Sequence, residues 1–327
     1  MFVREFIDGA DIDQVLLVRE VEVRQKRDGN EFLKLSLGDR TGAVTAMIWD
    51  GVAEVSRHTK PGAAVRVIGR YGCHPRYGNQ INVRALRSPD PDSYVPEDLV
   101  DGPPHGAETM EADLREVVAT VQDPHLLELL GRILGPDAPL WPRYRDAPAA
   151  KYYHQAYRHG LLEHCLTVGQ AVHAASATFP GIDHDVAVTG GLLHDIGKLD
   201  TYRFEGIIIE MTDAGRLQGE IPLGYALVRD TIATIDGFPP ALAEAVLHII
   251  LSHHGSLEHG SPVVPCTREA TLVHMIDNLG GRLGSFDRLE KELPDGESWS
   301  GFDRGISASA YFGAPREDAP AQQREAA

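Results

Sequence analysis

The sequence predicts a multidomain α+β protein, in which a small N-terminal β-barrel precedes an all-α domain. In the first 90 residues, short runs of alternating apolar and polar residues predict strands, whereas from about residue 114 the apolar residues follow a helical spacing. A stretch dense in Pro, Asp and Gly separates the two patterns. The length of 327 residues suits two domains of this kind.

Five short segments rich in β-branched residues form the N-terminal pattern, at residues 14–26, 31–38, 42–49, 63–71 and 80–86. Turn sequences separate them, and the longest link covers residues 50–62. Five strands with one longer link fit a Greek-key barrel of the OB type, which we expect at residues 1–88. We expect Phe32 and Trp49 in its core. Such a barrel binds nucleic acid, or it serves as an interaction or purely structural module.

The segment RYGCHPRYGNQ interleaves aromatic rings with cations between the last two predicted strands. Single-stranded nucleic acids are held by stacking of bases on aromatic rings and by attraction of phosphates to cations. The segment therefore predicts a contact for single-stranded nucleic acid, RNA or DNA, through Tyr71, His74, Arg76 and Tyr77. A hairpin tip with ordinary surface aromatics is the alternative.

Residues 89–113 are predicted to be a linker, and residues 114–290 a helical domain. After a first amphipathic segment from Leu114, further helices are expected at 161–178, 185–196, 222–235, 240–253 and 268–285, with a β-hairpin at 201–211. A C-terminal segment, residues 291–327, follows. Its last dozen residues have the composition of a disordered tail.

The net charge of -17 is unevenly distributed along the chain. Residues 1–90 hold 14 basic and 12 acidic residues, whereas the rest hold 17 basic and 36 acidic ones. The first part therefore tolerates a polyanion, and the second is rich in carboxylates that suit a metal site. We expect a cytoplasmic protein, because no apolar run of about 18 residues and no signal-peptide pattern occurs. The three cysteines are widely spaced and are expected to be reduced core thiols.

Polar residues end or interrupt four apolar helices in the second part. His164 lies near the start of one, His194-Asp195 and His253-His254 end two others, and Asp277 lies inside a fourth. Burial of such groups costs several kcal/mol unless a partner compensates, and a divalent metal ion is such a partner. A single buried histidine is more often a hydrogen-bonded core residue. Four such positions together predict a metal site.

These residues carry a resemblance to a known family. The order of His164, His194-Asp195 and Asp277 resembles the HD superfamily of metal-dependent phosphohydrolases. The segments KYYHQAYRHGLLEHCLTV, LLHDIGKL, LSHHGSLEHGSPVVP and EATLVHMIDNL, with the preceding barrel, resemble the YhaM-type 3′→5′ exoribonucleases over nearly the whole chain. The resemblance implies an OB-type barrel followed by an all-α HD-type phosphohydrolase domain. It also implies hydrolysis of single-stranded RNA, or also of DNA, to nucleoside monophosphates.

The resemblance further implies a set of metal ligands. They are His164, His194, Asp195 and Asp277 for one ion, and His253 and His254 for a second ion that Asp195 bridges. Glu220 stands where the family has a histidine, and its harder oxygen ligand leaves the identity and occupancy of the second ion open. Two divalent ions are expected, with Mn as the first candidate and Co, Fe, Zn or Mg as the others.

Asp195, Lys198 and His154 are the expected catalytic residues. Lys198 lies one helical turn beyond His194 and can direct a cation at the phosphate, unless it is a solvated lysine at a helix end. His154 is a candidate for a substrate contact. In the segment where the family has H-H-A-Y, this chain has HQAY, which is a further departure from the pattern.

Three functions are compatible with these observations. The first is a metal-dependent 3′→5′ exonuclease, and the second is a phosphohydrolase of small nucleotides whose barrel serves oligomerisation. The third is a nucleic-acid-binding protein with a degenerate metal site. No membrane partner is expected, and a homo-oligomer is compatible with the sequence.

Overall fold

A computed structural model describes residues 1–26, 29–57, 59–74, 78–100, 102–151, 155–205, 208–291, 293 and 296–313. The chain divides into two compact units, Met1–Gly102 with Glu205–Ile208 and Pro103–Phe204 with Ile209–Ala327. The five barrel strands lie in the first unit and the long helices in the second. The finer boundaries, at residues 1–88, 89–113, 114–290 and 291–327, remain predictions.

Five strands close a barrel in the first unit. They are β1 (Asp11–Gln25), β2 (Glu31–Asp39), β3 (Gly42–Ile48), β4 (Ala64–His74) and β5 (Gly78–Arg87). The order around the barrel is β1-β2-β3-β5-β4, in which β3 and β5 are parallel and the other neighbours antiparallel. Short helical turns lie at Val3–Glu5, α1 (Val52–Val55), Pro91–Ser93 and Pro96–Asp98. The predicted OB-type barrel is confirmed.

The long first strand closes this barrel. Its residues Asp11–Leu17 pair with β4 and Leu17–Gln25 pair with β2, and the register shifts between Val18 and Glu20. A bulge bends and twists a strand, so one strand can serve both neighbours. Alternate side chains of the barrel strands face inward and are buried. They include Ile12, Leu16, Leu33, Leu35, Leu37, Val65, Val67 and Ile81.

The second unit is mainly helical. Its helices are α2 (Ala107–Ala119), α3 (Pro124–Leu134), α4 (Trp141–Asp146), α5 (Gly160–Ser176), α6 (His184–Leu193), α7 (Lys198–Thr201), α8 (Asp213–Gln218), α9 (Glu220–Ile232), α10 (Pro240–Ser252) and α11 (Arg268–Lys291). A single helical turn covers Leu257–His259. Two hairpins are formed by β6 (Tyr202–Glu205) with β7 (Ile208–Met211), and by β8 (Trp299–Asp303) with β9 (Ala308–Tyr311).

The helix α6 lies at the centre of the helical core. It packs against α5, α10 and α11, and every residue from Val186 to Leu193 is buried. A helix that is apolar on all sides is stable only when surrounded by other elements. Side chains that follow Leu193 therefore emerge in the middle of the domain, which is where His194 and Asp195 lie.

The fold agrees with some of the local predictions and contradicts others. The expected long helices and the hairpin at 201–211 are present, but the hairpin of β8 and β9 was not predicted. Trp49 is 41% exposed and Phe32 does not belong to the buried core of the barrel, so the assignment of both rings to the core was wrong. Cys165 is buried, whereas Cys73 and Cys266 are exposed. The expected disordered tail lies outside the described residues.

Across the part of the chain that the structure describes, no helix combines the length and apolar character needed to cross a membrane.

Candidate metal centre

Two of the predicted histidine ligands cap buried helices in the same way. His194 follows α6 and His253 follows α10, and each ring places its Nδ1 2.8 Å from the carbonyl oxygen three residues earlier, that of Gly191 or Ile250. The last carbonyls of a helix have no N–H partner within the helix. Because the carbonyl oxygen can only accept, Nδ1–H donates, and Nε2 of the neutral ring keeps its lone pair for the site.

The first group of possible ligands consists of His164 on α5, His194 and Asp277 on α11. Their ligand atoms all lie within 4.8 Å of one another. His164 Nε2 is 3.1 Å from both His194 Nε2 and Asp277 Oδ1, and His194 Nε2 is 3.8 Å from Asp277 Oδ1. Two imidazole nitrogens and a carboxylate that converge in this way form a donor set for a divalent metal ion.

The second group consists of Glu220, the first residue of α9, with His253 and His254. Their ligand atoms also lie within 4.8 Å of one another. His254 Nε2 is 3.1 Å from Glu220 Oε1, and its Nδ1 is 2.9 Å from the carbonyl oxygen of His259. Among the described atoms, the buried Nε2 of His253 has no hydrogen-bond partner. A buried polar atom without a partner costs about 1–3 kcal/mol, so this nitrogen indicates a ligand.

Asp195 lies between the two groups. Its Oδ2 is 3.1 Å from His164 Nε2 and 3.6 Å from His194 Nε2, while its Oδ1 is 3.5 Å from His253 Nε2. One carboxylate oxygen therefore faces each group, as in a carboxylate that bridges two metal ions. Lys198 Nζ donates to Asp195 Oδ2 at 2.6 Å.

The pKa shifts in the first group show that its buried carboxylates are stabilised by nearby positive charge. Burial lowers the pKa of His164, but hydrogen bonds to Asp195 and Asp277 outweigh it and raise the pKa to about 9. Burial would raise the pKa of both carboxyl groups. The cation of Lys198, followed by His194, holds the pKa of Asp195 well below its usual value, and His164 and His194 do the same for Asp277. Without a metal ion, a proton on His164 offsets this negative charge.

The pKa shifts in the second group differ from those in the first. Burial raises the pKa of Glu220, but Lys198 and the hydrogen bond from His254 hold it below its usual value. Burial lowers the pKa of His253, which leaves its ring neutral, as a metal ligand must be. The converging lone pairs, the unpartnered Nε2 and the buried carboxylates together fit divalent metal ions.

Two glycines permit the close packing on which this geometry depends. A Cβ on Gly197 would lie 2.0 Å from the carbonyl oxygen of Glu220, so α9 can approach α7 only because this residue has no side chain. Gly255 has a φ of +81°, and a Cβ there would lie 2.1 Å from Cε1 of His274. The two glycines thus hold Glu220 beside Lys198 and the ring of His274 beside the second group.

A cleft of about 280 Å³ opens beside the second group. It is lined by His253, His254, His259, His274, Asp277 and Asn278. His274 Nδ1 lies 2.7 Å from the carbonyl oxygen of His253. His259 and His274 were not predicted from the sequence. The three-residue spacing from His274 to Asp277, which puts both on neighbouring positions of one helix face, was a usable signal.

The structure brings most of the predicted site residues together. Those of the helical domain that converge are His164, His194, Asp195, Lys198, Glu220, His253, His254 and Asp277. The side chain of Lys198 is only 14% exposed and contacts Asp195, so it is not the solvated lysine considered as an alternative. His154, the third expected catalytic residue, lies outside the described residues.

Of the predicted contact residues of the barrel, the structure describes the side chain of Tyr71. Tyr71 is 8% exposed and packs edge-on against Phe6 at 5.5 Å between ring centroids, so its ring offers no face to a base. An inward position on β4 explains this burial. Arg76, Tyr77 and the side chain of His74 lie outside the described residues.

Comparisons with known proteins agree with the resemblance noted from the motifs. A family model described as HD domain matches residues 161–281, which include every described candidate ligand. A 3′-5′ exoribonuclease YhaM of a Geobacillus species is 28% identical over 292 residues, covering 88% of each chain. Proteins of the same name from Bacillus velezensis and Bacillus subtilis are 27% and 26% identical, covering 88% of this chain and 90% of theirs.

Proposed function

We propose that this chain, which carries an HD domain and resembles the YhaM-type 3′→5′ exoribonucleases over most of its length, is a metal-dependent 3′→5′ exonuclease. Its substrate is single-stranded RNA and its products are nucleoside monophosphates. The helical domain hydrolyses the terminal phosphodiester bond, and the barrel holds the strand. The relatives are named 3′-5′ exoribonucleases, which supports the substrate class and the direction of cleavage.

The position of Asp195 is the observation that carries the hydrolytic part of this proposal. A buried carboxylate with one oxygen toward each of two ligand groups suits a pair of metal ions that act together on a phosphodiester. Lys198 contacts only Oδ2, so it does not explain why the Nε2 atoms of His164, His194 and His253 surround both carboxylate oxygens.

Two divalent ions suit the two groups of ligands. His164, His194, Asp195 and Asp277 would hold one, and Asp195, Glu220, His253 and His254 the other. When bound, such ions lower the pKa of a water molecule and neutralise charge on the phosphoryl oxygens. Imidazole and carboxylate donors without thiolate favour Mn, Co or Fe, and the extra carboxylate of Glu220 makes Mn the first candidate.

The other residues of the site orient the carboxylate and the substrate. Lys198 Nζ fixes the rotation of the Asp195 carboxylate and keeps further N–H donors for a phosphate oxygen. His259 and His274 line the cleft, where their rings can form hydrogen bonds with the terminal nucleotide. The same cleft also suits a small nucleotide, so hydrolysis of free nucleotides is the second candidate function.

Digestion of a 5′-labelled single-stranded RNA tests the proposal. Chelated protein should be inactive, and added Mn should restore stepwise shortening of the strand with release of nucleoside monophosphates. Asp195→Ala should abolish the activity while circular dichroism shows a retained fold, because both ligand groups lose their shared carboxylate. Asp200→Ala is the matched control, since Asp200 lies five residues away, pairs with Arg143 and should be dispensable.

The outcomes separate the candidate functions. Full activity of Asp195→Ala, or of the chelated protein, would exclude the metal mechanism. Hydrolysis of free nucleotides without shortening of the strand would favour the small-nucleotide phosphohydrolase. Failure to bind metal in a direct titration would favour a degenerate site. A DNA strand of the same sequence, tested in parallel, measures the preference for the sugar.

A further inference from the structure

The outer surface of the barrel carries a stacked pair of aromatic rings. Phe32 lies on β2, and Trp49 directly follows β3. Their ring centroids are 4.9 Å apart with an angle of 26° between the planes. Trp49 is 41% exposed, and the buried core of the barrel includes neither ring. An exposed indole contributes little to the stability of the barrel, so a different reason for its position is needed.

Strand register explains how these rings reach the surface. Leu33 on β2 pairs with Ile48 on β3, and both are buried. Side chains alternate between the two faces of a strand, so the neighbouring positions, Phe32 and Trp49, face outward. Arg24 on β1 is paired with Phe32. A cation and two rings therefore form one row across three strands.

Polar side chains continue this surface along the barrel. Lys34 lies two residues from Phe32, on the same outward face, and pairs with Met47, which in turn pairs with Asn82 of β5. Gln80 Nε2 lies 3.5 Å from Asn82 Oδ1. Glu22 of β1 lies between the two cations, because it pairs with Lys34 across the strands and its Oε1 lies 2.8 Å from Arg24 Nε. Cations, flat rings and side-chain amides thus share one face with the Glu22 carboxylate, and we call it the Trp49 face (Arg24, Phe32, Lys34, Trp49 and Asn82).

A lysine fixes the position of the exposed indole. Lys26 Nζ donates to the carbonyl oxygen of Trp49 at 2.6 Å and lies 5.9 Å from the centre of the indole ring. The cation therefore holds the backbone of Trp49 and lies over its ring, which a cation stabilises electrostatically. The indole is thus anchored although it is exposed, as a platform for a ligand needs to be.

We propose that the Trp49 face binds single-stranded RNA, with a base stacked on Trp49 and Phe32 and with phosphates beside Arg24 and Lys34. This inference rests on the proposed function, since it names the surface that holds the substrate strand. A base presents a flat ring to stack, polar edges to the amides and a negative phosphate to the cations. An apolar peptide would find no groove among these polar side chains, so RNA suits the surface better than a protein does.

Binding measured without cleavage tests this inference on the full chain. The fluorescence anisotropy of a labelled strand of about 15 nucleotides, the upper range for one barrel of this type, is titrated in the presence of a chelator. Trp49→Ala should raise Kd about 10-fold, because one stacking partner is lost. Trp49→Phe should recover part of the affinity.

Trp299 supplies a matched control. It is 58% exposed and lies 4.7 Å from Tyr311 between ring centroids, so it is also an exposed indole beside a second ring. It lies in the other unit, on β8. Trp299→Ala should leave Kd within about twofold of the unsubstituted protein, which is less than the loss of a stacked base.

The outcomes distinguish this inference from the proposed function. It is overturned if Trp49→Ala binds as tightly as the unsubstituted protein, or if Trp299→Ala loses as much affinity. Loss of a protein partner with unchanged RNA affinity in Trp49→Ala would also overturn it. An unsubstituted protein that binds RNA through Trp49 but hydrolyses no strand would overturn the proposed function and support the Trp49 face.

Discussion

At the scale of the residue, Glu220 has two possible roles that the structure allows together. It is the first residue of α9, where a carboxylate favours the helix dipole, and its Oε1 lies 3.1 Å from His254 Nε2 in the second ligand group. As a ligand, it adds negative charge where a histidine would be neutral. As a helix-terminal residue alone, it would stabilise the fold by about 0.3–1 kcal/mol and leave metal binding unaffected.

Substitution separates these roles. We expect Glu220→Ala to weaken the second ion and shift the metal titration of activity to higher concentration, and Glu220→His to shift preference from Mn toward Co or Zn, the softer ions. Glu108→Ala is the control, because Glu108 occupies the first turn of α2 without belonging to either ligand group. Superimposable metal titrations for all these proteins would show that Glu220 is not a ligand.

At the scale of the element, Asp185 joins the start of α6 to the start of α3. Its Oδ2 accepts the backbone N–H groups of Gln122 and Asp123, each at 2.7 Å, and its Oδ1 lies 2.8 Å from His184 Nδ1. Burial raises the pKa of Asp185, but the hydrogen bonds from His184, Gln122 and Asp123 outweigh it and lower the pKa. The charged form is therefore the one that stabilises the fold.

This pKa shift predicts a pH dependence. A carboxyl group whose pKa is lower in the folded protein contributes stability above its unfolded pKa of about 3.9, and the contribution is lost as the pH falls through the folded value. Asp185→Asn should lower the free energy of unfolding by about 1 kcal/mol at pH 7. Urea denaturation should show this difference shrinking below about pH 4. The same difference at every pH, or an equal loss in the control Asp137→Asn, an exposed residue, would contradict the prediction.

The elements also show what a sequence can and cannot predict. Strand alternation and helical spacing predicted the barrel and the long helices, because each buries its own apolar pattern. The hairpin of β8 and β9 was missed, since its strands have only five and four residues and expose Trp299 and Phe302. It is held by contacts distant in sequence, such as the ion pair of Arg288 with Asp303 at 2.6 Å.

The functional residues also divide into those that the sequence predicts and those that depend on contacts distant in sequence. The ligands on helices were predictable, because a histidine or aspartate at the end of an apolar run stands out in the sequence. Trp49 was misassigned, since an aromatic residue after a strand has the same local pattern whether its ring faces inward or outward. Only the pairing of Leu33 with Ile48 determines which face it takes.

At the scale of the whole molecule, the two parts of the chain differ in net charge. The residues after 90 hold 17 basic and 36 acidic residues and so have a net charge of -19, whereas residues 1–90 have a small excess of basic residues. An acidic helical domain repels a polyanion unless metal ions neutralise its carboxylates. Under the proposed function, we therefore expect affinity for a long strand to come mainly from the barrel, and affinity for a terminal nucleotide from the metal centre.

This division predicts different salt dependences for long and short substrates. Contacts with phosphates release counterions, and for single strands the slope of log K against log salt is about -0.7 per phosphate. Neutralising both cations of the Trp49 face, in Arg24→Gln with Lys34→Gln, should therefore reduce the slope for a long strand by about 1.4 and leave hydrolysis of a dinucleotide unchanged.

Arg216→Gln, which removes an exposed cation of α8, is the control. It should change neither the slope for the long strand nor the hydrolysis of the dinucleotide. Anisotropy and initial rates between about 50 and 200 mM salt measure the two quantities. Equal slopes for the double variant and the unsubstituted protein would mean that the barrel cations do not contact the strand.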